Sequence, residues 1–232
     1  MLAQLDSFAM HTGGAIPPRA PNAEARRDSS PINLPGSLVQ YERDAEIIAQ
    51  SASSPCCMEV VAGCVRTVSL LEDGRRQIVE FLFPGDLLGW DRAAAEHIGA
   101  EAVTNVALRR IPHAAIEQRA SSDALFATRL RHYATAQARA ARVRCILLGR
   151  KTASERVASF LLEMQVRLAP EGSAFDLPMS RTDVADYLGL TTETVCRALS
   201  ELRQISLIQT ERTRVTILNH AALGQASSEW VH

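Results

Sequence analysis

Glu193 and Arg197, four residues apart in the stretch 180–204 (SRTDVADYLGLTTETVCRALSELRQ), are the pair in this chain best suited to recognition chemistry. A carboxylate accepts from cytosine N4–H, and a guanidinium donates twice to guanine O6 and N7. A helix offering both from one face can therefore read a G·C pair in a major groove. The same spacing also makes an ordinary surface ion pair. The residues around the pair decide between these readings.

Val184, Ala185 and Leu188 mark the buried face of one short helix, and Gly189 supplies a tight turn. Thr191 or Thr192 can cap a second helix, with Glu193 in its first turn, where negative charge suits the helix dipole. Val195, Leu199 and Leu202 then face inward. Thr192, Glu193, Cys196, Arg197 and Ser200 are left facing outward. Pattern, turn and outward chemistry agree on a helix-turn-helix. Thr192, Glu193, Cys196 and Arg197 are the expected base readers. Ser180, Arg181, Thr182, Thr191, Thr194 and Ser200 are the expected phosphate contacts.

Upstream, residues 1–36 carry five of the ten prolines and few large apolar residues, which predicts an arm with no core of its own. MEVVAGCVRTVSLL and RRQIVEFLF are apolar, β-branched runs flanking the turn signal Glu72-Asp73-Gly74. Pro84-Gly85-Asp86 is a second turn, and EAVTNVALRRIP is a further strand stopped by Pro112. Short strands and frequent turns over 38–112 predict a small barrel or jelly roll. Residues 119–148 lack Pro and Gly. Leu125, Leu130, Ala134, Gln137, Ala141, Cys145 and Leu148 make a narrow stripe there, suited to pairing with a second copy; packing only against the β domain is the alternative. A helix over 153–168 carries Val157, Phe160, Leu161, Met164 and Leu168 at core spacing. After the helix-turn-helix, SLIQTERTRVTILN reads as a hairpin wing with Glu211-Arg212 in its turn.

At 232 residues the chain can hold two domains. It has no apolar run long enough to span a bilayer and no secretory pattern. Five cysteines, an odd number, fit a reducing cytoplasm better than a disulfide framework. A net charge of −1 means that phosphate attraction alone gives weak DNA binding, so a dimer and a correct site are needed. There is no phosphate-cradling Gly loop, no HExxH and no nucleophile elbow. Asp86 and Asp91 flank a turn, a placement that is structural more often than catalytic. An enzyme is not expected.

VVAGCVRTVSLLEDGRRQIVEFLFPGDLLGWD at 60–91 and RTDVADYLGLTTETVCRALSELRQ at 181–204 resemble the CRP/FNR family of bacterial transcription regulators, on its FNR/FixK side. The resemblance implies an α+β chain with a cyclic-nucleotide-binding-like β-roll (37–118), a dimerisation helix (119–151) and a winged helix-turn-helix (152–220), with 1–36 as arm and 221–232 as tail. It implies a homodimer on a palindromic double-stranded DNA site, RNA polymerase as partner through exposed turns such as 72–76, and an activator of low-oxygen or nitrogen-fixation genes. In the CRP branch an Arg precedes the recognition Glu; here that residue is Thr192. FNR/FixK proteins also lack that Arg and read TTGA half-sites, which assigns Glu193 and Arg197 to the G·C pair of a TTGA-N6-TCAA palindrome.

Within this resemblance four modes of control are open. Cyclic-nucleotide binders carry Gly-Glu-Leu and a downstream Arg-Ser; this chain has Gly89-Trp90-Asp91 and Glu96-His97, a poor setting for a cyclic phosphate. Iron–sulfur members use three N-terminal cysteines and one in the β-roll. Here no Cys precedes Cys56, the β-roll position falls near Arg109, and Cys56, Cys57 and Cys64 match none of those ligands. Haem would need a histidine such as His97, His113 or His132, and no spacing selects one. A sensor gated by haem, NO or another small molecule is thus the alternative to the fourth mode, a FixK-like regulator with no cofactor. Cys196 stands where the family usually has Ser or Gly. The helix dipole and adjacent Arg197 make a thiol there more reactive, and its oxidation is expected to weaken DNA binding; a tolerated replacement of Ser is the plainer reading.

Overall fold

The computed structural model describes residues 31–52, 54–90 and 98–227. The N-terminal part is built from β1 (Ser37–Tyr41), β2 (Glu46–Ile48), β3 (Cys56–Ala62), β4 (Val65–Leu70), β5 (Arg76–Leu82), β6 (Leu87–Leu88), β7 (Gly99–Ala102) and β8 (Val106–Pro112). They form two antiparallel four-stranded sheets, in the orders β1-β8-β3-β6 and β2-β7-β4-β5. This is the β-roll expected. Between the sheets lie Met58, Val60, Val65, Leu82, Leu88, Ala102, Val106 and Leu108.

Two segments that read as single strands are hairpins. MEVVAGCVRTVSLL folds back at Gly63, whose φ is +89° and where a Cβ would lie 2.4 Å from the Asn105 carbonyl oxygen. EAVTNVALRRIP folds back between β7 and β8, where the Cys64 carbonyl accepts from Val103 N at 2.8 Å. The Glu72-Asp73-Gly74 turn joins β4 and β5 as expected, with Gly74 at φ +82° and Asp73 Oδ1 accepting from Arg75 N at 3.1 Å.

The expected arm and long helix both need correction. Residues 1–30 lie outside the described residues, but Ile32 is buried in a cluster with Cys57, Leu87, Ile111, Ile116, Phe126 and Leu130. Its apolar side chain joins a core that other elements supply. The helical region is two helices, α1 (His113–Ser122) and α2 (Ala124–Arg150), parted at Asp123. Asp123 is extended, and its carboxylate accepts from Leu125 N and Phe126 N, both at 3.0 Å. It caps α2 in place of continuing α1. Those two bonds, with Arg119 close by, hold the Asp123 carboxyl below its ordinary value.

The C-terminal part comprises α3 (Ala153–Leu168), β9 (Ala174–Asp176), α4 (Arg181–Leu188), α5 (Thr192–Gln204), β10 (Ile208–Glu211), β11 (Arg214–Ile217) and α6 (His220–Ala226). β9, β10 and β11 form a small sheet in the order β10-β11-β9, the wing. Its turn falls at Arg212-Thr213, one residue later than expected. Residues 221–226, expected as tail, are helical because Asn219 caps the helix that His220 begins and Leu223 is fully buried among the other C-terminal side chains. No helix of the described residues is long and apolar enough to cross a membrane.

One apolar cluster joins the two parts. Val68, Ile78, Phe81 and Phe83 of the β-roll lie in the same core as Phe160, Tyr187, Leu188 and Leu199. Burial of this kind stabilises by about 25 cal/mol per Å². Gly189 closes α4 with φ +62°, and a Cβ there would meet only ordinary contacts at 3.7 Å and beyond. Gly189→Ala is therefore expected to cost only the left-handed backbone penalty, about 1–2 kcal/mol, read as a lowered midpoint in denaturant unfolding with the native spectrum kept.

Candidate nucleic-acid interface

Ser180 caps α4: its Oγ accepts from Asp183 N at 3.0 Å, while Asp183 Oδ2 accepts from Ser180 N at 3.0 Å and from Ser180 Oγ at 2.7 Å. This reciprocal box orders the start of α4. Gly189 ends that helix, and Leu190 N donates to Ala185 O at 3.0 Å. Thr191, the first of the two candidate caps, begins α5; its Oγ1 accepts from Thr194 N at 3.1 Å. Val195, Ala198, Leu199 and Leu202 are buried on the inner face of α5.

On the outer face, Thr192, Glu193, Cys196 and Arg197 are all exposed and all within the first two turns. The Glu193 and Arg197 side chains are 81% and 66% exposed, and Arg197 Nη2 donates to Glu193 Oε1 at 2.7 Å. The surface ion pair exists, and it sets the two candidate base-reading groups side by side in solvent. An exposed pair of this kind contributes about 0.3–0.5 kcal/mol, too little for the stability of α5 to depend on it.

The expected phosphate contacts surround this face. Arg181 and Thr182 stand at the start of α4, and Arg181 Nη2 donates to the Arg212 carbonyl at the wing tip at 3.3 Å. Burial lowers the proton affinity of the Arg181 guanidinium, and the nearby Cys196 sulfur opposes that shift. Thr191 and Thr194 hydroxyls lie 2.8 Å apart. Ser200 is half-buried, and its Oγ donates to Cys196 O at 2.9 Å. Arg212 and Arg214 of the wing were not among the expected contacts. Both are exposed, and Arg212 has φ +54°. Their signal in the sequence is the basic run ERTR at the hairpin tip.

The stripe expected to pair two copies is unevenly exposed in the single chain. Leu130 is buried in the chain's own core, and Gln137 Nε2 donates to Tyr133 Oη at 2.7 Å. Ala134 and Leu148 are half-buried. Leu125, Ala141 and Cys145 are exposed. α2 has two apolar faces, one lying on its own β-roll. The other carries Ala136, Ala140, Val143 and Ile146, all exposed.

The residues weighed as ligands are dispersed. Cys57 and Cys64 are buried in different clusters, and burial pushes the Cys57 thiol up to about 12 and raises Cys64 as well. Cys56 is only half-buried, its neighbour on β3 fully so. Arg109 donates to buried Glu59 at 2.7 Å. Trp90 packs edge-on against Tyr133 of α2, with ring centroids 5.8 Å apart. Tyr133 Oη in turn accepts from Leu87 N at 3.2 Å. His113 begins α1, and His132 is exposed on α2. Asp86 accepts from Phe83 N at 2.7 Å and pairs with Arg167 of α3, a structural role. Asp91, Glu96 and His97 lie outside the described residues.

Residues 155–226 match the Crp-like helix-turn-helix domain, and residues 38–123 match the cyclic nucleotide-binding domain. The nitrogen fixation regulation protein FixK of Azorhizobium caulinodans is 37% identical over 199 residues, covering 84% of this chain and 80% of its own. FixK of Rhizobium meliloti is 37% identical over 195 residues, covering 84% and 89%. The structure of FixK2 from Bradyrhizobium japonicum superposes with a TM-score of 0.80 at 38% identity, covering 85% of this chain and 100% of that one. The β-roll, the capped helix-turn-helix and this likeness over most of the chain agree: it belongs to the CRP/FNR family of DNA-binding transcription regulators, among its FixK-like members.

Proposed function

We propose that this chain binds TTGA-N6-TCAA-like palindromes as a homodimer, without an added effector, and acts at promoters as an activator of low-oxygen or nitrogen-fixation genes and not as an enzyme. The observation that carries the reading is the exposed Glu193–Arg197 pair on the first turns of a helix whose opposite face is fully buried. Glu193 accepts from cytosine N4–H and Arg197 donates to guanine. Thr192 leaves open the place where a larger cation would select a further guanine. Ser180, Arg181, Thr182 and the wing arginines meet the backbone on either side.

The exposed α2 residues Ala136, Ala140, Val143 and Ile146 lie along one side of the helix and offer an apolar strip to a second copy. Pairing there relates two recognition helices by a two-fold axis, as a palindrome with half-sites about 34 Å apart requires. The hairpin tip from Leu71 to Arg75 is exposed and available to RNA polymerase. Trp90 against Tyr133 of α2 and the Glu59–Arg109 pair support a β-roll whose shape is held by side chains of this chain.

Cys196 offers direct control. It is exposed on the reading face, near the Arg181 guanidinium. Its Sγ can take oxygen from hydrogen peroxide, releasing water and leaving a sulfenic acid; a second equivalent gives a sulfinate. A negative group there repels phosphate.

Arg197→Ala is expected to lose about 1–3 kcal/mol of preference per half-site for the G·C pair over its replacement, with non-specific binding nearly unchanged; fluorescence anisotropy on matched duplexes measures this. Unaltered discrimination would remove Arg197 from base reading. Cys196→Ser is expected to bind as the reduced wild type does and to resist peroxide. A mutant as peroxide-sensitive as wild type would refute the redox role.

A further inference from the structure

The helix that supports the recognition helix is held to the β-roll by an ion cluster that contacts none of the candidate base-reading residues of α5. Asp183, with only 5% of its side chain exposed, divides its carboxylate between two tasks. Oδ2 closes the capping box with Ser180, at the end of α4 where the phosphate contacts Ser180, Arg181 and Thr182 begin. Oδ1 accepts from two guanidiniums of the β-roll: Arg66 Nη1 at 3.2 Å from β4 and Arg76 Nη2 at 2.9 Å from β5. Arg76 Nε also donates to Asp186 Oδ2 at 2.8 Å, one turn further along α4. Arg66 is fixed from behind by Glu101 of β7, with Nε donating to Oε2 at 2.7 Å.

The other end of α4 is tied to the same strand. Gln77 Nε2 donates to the Asp186 carbonyl at 2.6 Å and to the Tyr187 carbonyl at 3.4 Å, supplying partners to orphan carbonyls of the last turn. The Tyr187 ring lies 4.9 Å from Phe81 of β5. Charged bonds at both acidic residues, amide bonds at the C-terminus and a ring between them leave α4 little freedom to pivot on the β-roll. Oriented, partly buried guanidinium–carboxylate bonds specify geometry as well as energy.

We propose that Arg66 and Arg76 are positioning residues for DNA binding, setting through Asp183 and Asp186 the angle at which the helix-turn-helix stands on the β-roll. This rests on the palindrome reading above. A fixed angle in each protomer of a dimer fixes the separation and rotation of the two recognition helices. The cluster therefore acts on spacer selectivity and leaves base selectivity to α5. It fixes without a ligand an orientation that would otherwise have to be induced.

The test compares full-length wild type, the double variant Arg66→Gln/Arg76→Gln and the milder Asp186→Asn on duplexes with the spacer at N6 and lengthened to N8. Wild type is expected to prefer N6. In the double variant the N6-over-N8 preference is expected to fall on the order of 10-fold, within the usual range of coupling between sites, while discrimination at the G·C pair persists. Asp186→Asn is expected to fall less in the same direction. Partial misfolding lowers binding to both duplexes alike and leaves the ratio intact. An unchanged ratio in both variants, or tighter N6 binding by either, overturns the proposal. Hydrogen exchange provides a readout without DNA: amides of β5 and α4 are expected to exchange at least several-fold faster in the double variant, and unchanged protection there also counts against it. If wild type shows no preference for the palindrome over a scrambled duplex, the palindrome reading fails by itself, and the exchange result still decides whether the cluster holds α4.

Discussion

The β-roll grips the DNA-binding unit at several points, and α4, a helix of eight residues, carries the most side-chain bonds among them. Its N-terminal acids face two guanidiniums of β4 and β5, its C-terminal carbonyls receive Gln77 and Arg156, and its Tyr187 ring is packed on both sides. Arg156 of α3 extends the linkage. Its guanidinium donates to Leu188 O at 2.9 Å and to Leu148 O at 2.7 Å, so one side chain ties the end of α4 to the end of α2. Arg144 of α2 lies 3.5 Å over the Tyr187 ring, whose hydroxyl donates to Glu163 of α3. The short helix is thus the point where β-roll, long helix and DNA-binding unit constrain one another.

That constraint gives the recognition face its meaning. α5 packs on α3 and α4 through Val195, Ala198, Leu199 and Leu202 and is oriented by them. Its reading groups contribute little to folding, since the Glu193–Arg197 pair stands in solvent. The chain therefore separates its tasks. On the proposed reading, carboxylates and rings at α4 determine direction, and exposed groups on α5 provide chemistry. A net charge of −1 fits this division, because a weakly attractive surface makes correct geometry decisive.

The helix-turn-helix is legible in the sequence because its determinants are local. The apolar face Val184, Ala185 and Leu188, the turn at Gly189, the cap at Thr191 and the spacing Val195, Leu199, Leu202 all act within a few residues. The 153–168 helix is legible in the core spacing of Val157, Phe160, Leu161 and Met164, and the structure adds a capping box of Thr152 and Glu155 at its start. The β-roll shows in its turns where Gly74 marks them, but Thr104 and Asn105 carry no such mark, so two strands read as one. α2 is legible as a helix but not in its facing, because periodicity finds apolar stripes without saying what covers them; Leu130 and Val143 look alike until the β-roll is in place. The cluster on α4 is not legible at all. Arg66 and Asp183 are 117 positions apart, and Arg76 and Asp186 are 110 apart, so each reads as a surface charge until the sheet brings them together.

On the proposed reading the helix-turn-helix stands ready on the β-roll without a ligand. Titration of fully reduced, full-length protein into a TTGA-N6-TCAA duplex, with no effector and against a duplex with both G·C pairs exchanged, tests it most directly. A ligand-independent docking predicts saturable, selective binding with two protomers per duplex. Selective binding that appears only after a small molecule is added would contradict it.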